Sequence, residues 1–343
     1  MGTLEHKQSP SAPTVSAVIP CYNAAPFLRE TIESILGQTH AALEVIVVDD
    51  GSTDDSAAIA ESYAPRVRVI RQDNQGESVA RNRGIDEAAG EWIALLDADD
   101  RWTPNKLKVQ LEALQRAPQD TVCVYSDLML FGSENRRMSL PPWPVEVERR
   151  VRMLTNPVIQ PGTALICRRA AERVRFPVGI SDGEDQVFWM LLCDQGKIVH
   201  VPEVLLEYRK YQGQQTSRVG HGVRVIDALW GWALENRGAF SAAEWEIMRH
   251  EFGSQLVDRH DAAYWQGDWP TVQRARRLFG EMLPEKNPLP PLFQRAPPRR
   301  ITKRLHRAWN TMLTAMPDPM RSLVQGATRG LVDRIKRGRP ACS

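Results

Sequence analysis

Apolar residues in this chain gather in short runs separated by stretches of helical period. Val15 to Ile19, closed by Pro20, and Leu43 to Val48, closed by two aspartates, read as buried strands. Between them Phe27, Leu28, Ile32, Ile35 and Leu36 recur at helical spacing, with Gly37 where a C-cap is expected. A helix over 56–63 capped by Asp54 or Asp55, a strand over 67–70, a helix over 78–89 ended by Gly90 and a central strand over 92–96 continue the alternation. Such alternation predicts an α/β fold: a mostly parallel twisted sheet with helices on both faces and ligands at the carboxyl ends of its strands.

Further along, 122–130 and 163–167 read as strands around an irregular, proline-containing stretch over 132–143. The pattern over 223–283 is helical, with Gly267 and Asp268 as C-cap and N-cap between two helices. Six prolines in the fifteen residues 284–298 read as a linker. Beyond it Ile301, Leu305, Ala308, Trp309, Met312, Leu313 and Met316 share one helical face, crowded by Arg300, Lys303, Arg304 and Arg307. A second such helix centres on Leu323 to Ile335. The expected organisation is a loose tail over 1–13, a sheet domain over 14–217, a helical extension over 218–283, the linker over 284–298 and a basic amphipathic tail over 299–343.

Charge changes this picture most. The 343 residues carry a formal +2, but 299–343 holds eleven Lys/Arg against two Asp, leaving 33 basic against 40 acidic residues upstream. A tail of about +9 on a body of about −7 points to an anionic surface, phospholipid or nucleic acid. No apolar run approaches the roughly 20 residues of a membrane span, and the N-terminus lacks the basic-then-apolar pattern of a secretory signal. Five widely spaced cysteines, never paired as Cys-x-x-Cys, argue against a disulfide framework or a zinc site. The expectation is a cytoplasmic protein, peripheral at the inner face of the cell membrane.

The candidate chemistry falls at the strand ends. Asp97 and Asp99 follow the 92–96 strand, and alternation sends both carboxylates to one corner, a donor set suited to a hard divalent ion that completes its shell with water and phosphate oxygens. Capping of the helix that starts near Thr103-Pro104 is the plainer alternative. The run Asp49 to Asp54 after the second strand can accept hydrogen bonds from a base or ribose, with Gly51 permitting a tight turn, though it also makes a good loop and N-cap. Arg81, at a helix start, suits phosphate oxygens.

These blocks in this order resemble the family 2 glycosyltransferases of the GT-A fold: Pro20-Cys21-Tyr22-Asn23, Ser34 to Thr39, Asp49 to Asp54, Ala80 to Gly84, and Asp97 to Asp100, continuing with Gly183-Glu184-Asp185 and Tyr208-Arg209. The resemblance covers roughly Val15 to Ser217. It implies an inverting transfer of a sugar from a nucleotide-diphosphate sugar to an acceptor hydroxyl, of the bacterial cell-surface polysaccharide type, with a lipid-linked or surface-polysaccharide precursor as acceptor. Asp50, with Asp49 and Pro20, would contact the base, and Tyr22, Asn23 and Arg81 would belong to the nucleotide-sugar site. Asp97 would meet ribose or metal, and Asp99 would bind Mg²⁺ or Mn²⁺. Asp185 matches the carboxylate that takes the acceptor proton, with Glu184 its neighbouring competitor; as a pair they also suit the cap of the apolar helix over 187–192.

One departure stands out. Many relatives carry a His two residues after the Tyr-Arg pair, where this chain has Tyr211; His221 is a possible substitute, and Thr216 and Ser217 stand where relatives place a hydroxyl. A processive synthase does not fit a chain without membrane spans or a Gln-x-x-Arg-Trp block. A nucleotidyltransferase would want a Gly-rich basic loop near the first strand, and 20–26 has none. A nucleic-acid-binding protein with a degenerate sugar-nucleotide fold is the non-enzyme alternative, disfavoured by intact Asp97, Asp99 and Asp185.

Overall fold

In the computed structural model, residues 13–140, 149–157, 159–180, 182–214, 216, 220–286 and 293 are described. The linker and the basic tail, apart from the first residues of the linker and Phe293, lie outside them. The first strand, β1 (Val15–Cys21), is buried at every position, as its uninterrupted apolar run requires. It pairs in parallel with β2 (Glu44–Asp49) on one side and β4 (Trp92–Leu95) on the other, and β2 pairs in parallel with β3 (Arg68–Arg71). Pro20 sits opposite Val48, beyond the end of the β4 pairing, where its missing N–H costs no ladder bond to that neighbour.

Helices connect these strands: α1 (Leu28–Leu36), α2 (Ser56–Glu61) and α3 (Glu77–Glu87). Gly37 is the C-cap of α1, as the spacing predicts. At α2 the cap residue is Asp55, but the carboxylate that accepts from the Ser56 N–H and hydroxyl belongs to Asp54. The helix over α3 ends at Glu87; Gly90 instead packs against Ser16, whose backbone N would lie 2.6 Å from a Cβ there.

The remaining strands are β5 (Arg101–Trp102), β6 (Thr121–Gly132), β7 (Arg136–Met138), β8 (Leu165–Cys167) and β9 (Lys197–Lys210), giving the order β3-β2-β1-β4-β8-β6-β9-β5 with β7 on β6. The half over β3, β2, β1 and β4 is all parallel, whereas β8 runs against both β4 and β6 and β5 runs against β9. Thr163, expected in a strand, belongs to a 3-10 turn, Pro161–Thr163, so β8 starts two residues later. The long β9 contains Pro202; its pairing with β6 shifts register between Val201 and Val204, an irregularity that takes the proline out of the ladder.

Helices α4 (Lys106–Arg116), α5 (Arg149–Thr155), α6 (Arg168–Val174) and α7 (Glu184–Leu192) complete the sheet region, followed by α8 (His221–Glu235), α9 (Ala242–Gln266) and α10 (Trp269–Met282). The chain divides into two compact units, 1–254 and 255–343, the first of which holds the sheet, α8 and the first half of α9. In the second unit Ala263, Tyr264 and Val272 form a small core, and Asp268 caps α10 by accepting from the Thr271 N–H, after Gly267 with φ 79°, as predicted. No helix among the described residues is long and apolar enough to cross a membrane.

The seat of α3 on β1 depends on Gly84. A Cβ there would lie 2.2 Å from Val18 Cγ1, in the fully buried centre of the sheet. Gly84→Ala is therefore expected to destabilise the fold by about 1–3 kcal/mol, the usual cost of overpacking, despite alanine's better helix propensity; urea unfolding checks it.

Candidate active site

The carboxyl ends of β1, β2 and β4, the loop before α3, the start of α7 and the chain after β9 converge on one cavity of about 600 Å³. Of the residues expected at the site, Pro20, Tyr22, Asn23, Asp50, Arg81, Asp97, Asp99, Glu184 and Asp185 line it. Asp49 does not. It ends β2 and faces a neighbouring recess, where it accepts from the Ser52 N–H and lies 3.5 Å from Arg71 Nε. Alternation explains the split: consecutive residues at a strand end point to opposite sides.

The end of the cavity beside β1 and β2 is built from two stapled loops. Asn23, with φ 50°, accepts at Oδ1 from the Thr53 N–H at 2.8 Å, while its own N–H donates to Ser52 Oγ at 3.0 Å. Asn tolerates that left-handed backbone better than most residues. Asp50 accepts from Gln72 Nε2, the Gln75 N–H and the Gly76 N–H at 2.7–2.9 Å. Its carboxylate thus anchors the loop before α3 while remaining in the cavity wall. Gly76, φ 93°, supplies the turn that brings two consecutive amides onto it. Tyr22 is 52% exposed, an open aromatic at the rim.

Arg81 has a different place from that of a free phosphate ligand. Its side chain is only 3% exposed, and the guanidinium donates to Asp97 at 2.9 Å, to Glu184 at 2.9 Å and to Glu77 one turn earlier. Phe176 lies against it, 5.2 Å from ring centroid to guanidinium carbon. One cation therefore ties together α3, the end of β4 and the start of α7. Burial outweighs this help for Glu184, whose pKa is raised, with the Asp185 charge adding to the rise. Asp185 is pushed up to about 6 by burial, with Arg81 and the Gln186 N–H pulling it back and Glu77 and Asp97 pushing further.

Asp97 and Asp99 reach the cavity through a turn, not by strand alternation. β4 stops at Leu95, and the Asp100 N–H donates back to the Asp97 carbonyl. The turn is braced from outside: Thr31 Oγ1 donates to the Ala98 and Asp100 carbonyls, the Arg209 N–H to the Asp100 carboxylate at 2.7 Å, and Arg209 Nε to the Asp99 carbonyl at 2.7 Å. Asp99 is raised by burial and then by the Asp97 charge, while the Tyr211 hydroxyl, hydrogen-bonded to it, pulls it down. Tyr211 packs on Phe27 at 4.9 Å between ring centroids. His221 also lines the cavity, its Nδ1 3.0 Å from Asp182 Oδ1.

Glu77, which shares Arg81, was not singled out from sequence; the Asn74 to Gly76 loop and Arg209 were seen as motifs, but not as the partner of Asp50 and the brace of the acidic turn. The Asn74-Gln75-Gly76 block and the Tyr208-Arg209 pair are visible motifs, but nothing local shows that their partners are Asp50 and Asp99-Asp100. Among the described residues, no group of three His, Cys, Asp or Glu side chains is arranged to hold a metal ion.

A cavity at the carboxyl edge of its strands is where an open α/β sheet binds its ligands. The model of the glycosyl transferase family 2 matches residues 16–175. The Bacillus subtilis glycosyltransferase TuaG, named for teichuronic acid biosynthesis, is 32% identical over 203 residues, covering 57% of this chain and 79% of that protein. An uncharacterized glycosyltransferase of Rickettsia typhi is 29% identical over 67% of this chain and 74% of its own length. The crystal structure of S. aureus TarS 1-349 in complex with UDP-GlcNAc superposes with a TM-score of 0.60, covering 79% and 80% of the two chains at 20% identity, a likeness of fold. The chain belongs to glycosyl transferase family 2, and it is a glycosyltransferase.

Removing the central cation should be costly. Arg81→Met leaves Glu77, Asp97 and Glu184 facing one another without their counter-charge, and the expected loss is about 3–5 kcal/mol at neutral pH. The penalty should shrink in mild acid as the carboxylates take up protons, which chemical denaturation at two pH values measures.

Proposed function

We propose that this chain is an inverting, metal-dependent transferase that moves a sugar from a nucleotide-diphosphate sugar to an acceptor hydroxyl on a lipid-linked or surface-polysaccharide precursor. The observation that carries the reading is that carboxylates from two separate elements, Asp97 and Asp99 after β4 and Asp185 at the start of α7, face one cavity. The base that takes an acceptor proton must lie opposite the leaving diphosphate, so it has to come from an element other than the one that holds the leaving group. Glu184 is engaged by Arg81 at 2.9 Å, which leaves its neighbour Asp185 for that role.

Charge supports the need for a cation. Seven carboxylate side chains line the cavity, and its arginine is already committed to three of them. A diphosphate entering such a field is repelled unless a divalent ion accompanies it. Asp97 and Asp99 fit Mg²⁺ or Mn²⁺ as an all-oxygen pair, the remaining positions falling to phosphate oxygens and water. Bound there, the ion would neutralise charge on the departing diphosphate. Asp50, Pro20, Tyr22 and Asn23 would frame the nucleotide, and Arg81 would act through the carboxylates it holds. Support for the donor class comes also from the TarS complexes with UDP-GlcNAc and UDP, and for the polysaccharide setting from the name of TuaG. The tail over 299–343 would rest on an anionic membrane surface.

A thermal-shift panel of UDP-, GDP- and dTDP-sugars with and without Mn²⁺ tests the donor half: one nucleotide should stabilise the protein in a metal-dependent way, and no shift from any would refute it. Asp185→Asn should abolish transfer with nucleotide affinity nearly intact, whereas Asp99→Ala should also weaken metal-dependent nucleotide binding; equal loss of binding in both contradicts the division of roles. Because Asp185 must be ionised to accept a proton, transfer should rise with pH through about 6. Truncation after Pro298 should release the protein from anionic liposomes at low salt; undiminished binding would remove the membrane from the proposal.

A further inference from the structure

Behind one wall of the cavity lies a buried polar stripe that the chemistry above does not use. Lys106 and Gln110 stand one turn apart on α4, on the same face, and Trp102 ends β5 just before that helix. All three are buried, and Lys106 and Gln110 are fully inaccessible. Their polar atoms meet three consecutive backbone carbonyls. Trp102 Nε1 donates to Gly162 O at 3.1 Å, Gln110 Nε2 to Thr163 O at 2.7 Å, and Lys106 Nζ to Ala164 O at 3.4 Å. Lys106 also donates to Gln110 Oε1 at 2.6 Å and lies 4.5 Å from the centroid of the Trp102 ring, which orients the set.

Those carbonyls belong to the 3-10 turn and the residue before β8, where the backbone has not yet joined the sheet ladder. The same segment presents Gln160 and Pro161 to the cavity. Its back is pressed tight: a Cβ on Gly162 would lie 2.8 Å from Leu206 Cδ1. Packing alone would be served by a leucine or methionine at 106, since an ammonium is costly to bury. Burial pushes Lys106 down to about 7, against its ordinary 10.5. Apart from a second bond from Gln110 Nε2 to Val124 O of β6 at 3.2 Å, the backbone bonds of this costly stripe all fall on that one short segment.

We propose that Trp102, Lys106 and Gln110 are positioning residues that clamp the Gln160–Pro161 wall of the cavity, on the side away from the nucleotide-facing loops of β1 and β2. β8 continues from this wall and runs against β4, with Leu165 opposite Ala94, so the wall stands beside the carboxyl end of β4 and lines the same cavity as Asp185. That the wall meets the acceptor rests on the function proposed above; the clamp itself does not.

Hydrogen exchange at the Thr163 and Ala164 amides, which donate to Gln160 O and Pro161 O, reads the clamp directly. In Lys106→Met they should exchange at least about tenfold faster relative to the β1 amides, with the exposed Lys108→Met as the unaffected control. Opening the wall returns Lys106 to water, where its affinity for a proton rises. In the unaltered chain, exchange corrected for intrinsic chemistry should therefore slow with pH above about 7, by up to about tenfold per unit, and Lys106→Met should lose this dependence. The titratable groups facing Lys106 are Cys123 and, behind it, Cys193, both held protonated there by burial. Should Lys106→Met fail to fold, Trp102→Phe removes the N–H donated to Gly162 O together with part of the ring, and should loosen the same two amides. Calorimetric titration with UDP and Mn²⁺ should give affinities within about twofold for the variant and the unaltered chain. Unchanged exchange at 163–164, a rise shared equally by β1, or UDP affinity falling in step with wall protection would overturn the clamp. Failure of UDP and the other nucleotides to bind the unaltered chain would refute the donor reading, while the exchange result still decides the clamp.

Discussion

A single buried cation organises this active site. Arg81 sits where a lone guanidinium would be prohibitively costly, and it is tolerable only because Asp97, Glu184 and Glu77 surround it. Those acids are in turn tolerable together only because Arg81 is there. The mutual dependence spans α3, the end of β4 and α7, elements far apart in sequence, and it fixes the distance between the acidic turn and the helix that carries Asp185. Arginine suits the task through its fork of donors, which can serve three carboxylates from one plane.

Around that centre the site is rigidified by side chains that hold backbone, some in the cavity wall and some behind it. Arg209 and Thr31 hold the backbone of the Asp97 to Asp100 turn, Asn23 and Asp50 lock the loops beside β1 and β2 from within the wall, and the Trp102, Lys106 and Gln110 stripe lies behind the opposite wall. Several of these are polar side chains satisfying backbone groups at the places where strands end and ladder partners run out. Strand ends are where an α/β sheet binds ligands, and also where its backbone has unmet hydrogen bonds. The fold answers both demands with the same residues.

The cavity's acidity has a further consequence for the chemistry. Burial first, and the neighbouring carboxylate charges after it, carry Asp185 and Asp99 above ordinary aspartates. For Asp185 this moves the proton affinity towards neutral pH. A cation approaching Asp99 would have to compete with a proton there.

Much of this was legible in the chain. Short apolar runs rich in Val and Ile and closed by Pro or Asp read as buried strands, so β1 and β2 follow from composition over a few residues, and the helices between the strands follow from their period. The strand-end motifs named most of the cavity's residues because the carboxyl ends of β1, β2 and β4 converge there, although Asp97 and Asp99 arrive by a turn. What local pattern could not decide was partnership. Asp49 and Asp50 are adjacent and chemically alike, yet only Asp50 lines the cavity; Arg81 read as a phosphate ligand, yet its charge is spent on acids 16 and 103 residues away. β9 was hidden by Pro202 until its bulge was seen against β6. Burial and pairing belong to the assembled sheet, and a lysine such as Lys106 shows it best: in sequence it is one more helix cation, and only packing on every side turns it into part of the wall.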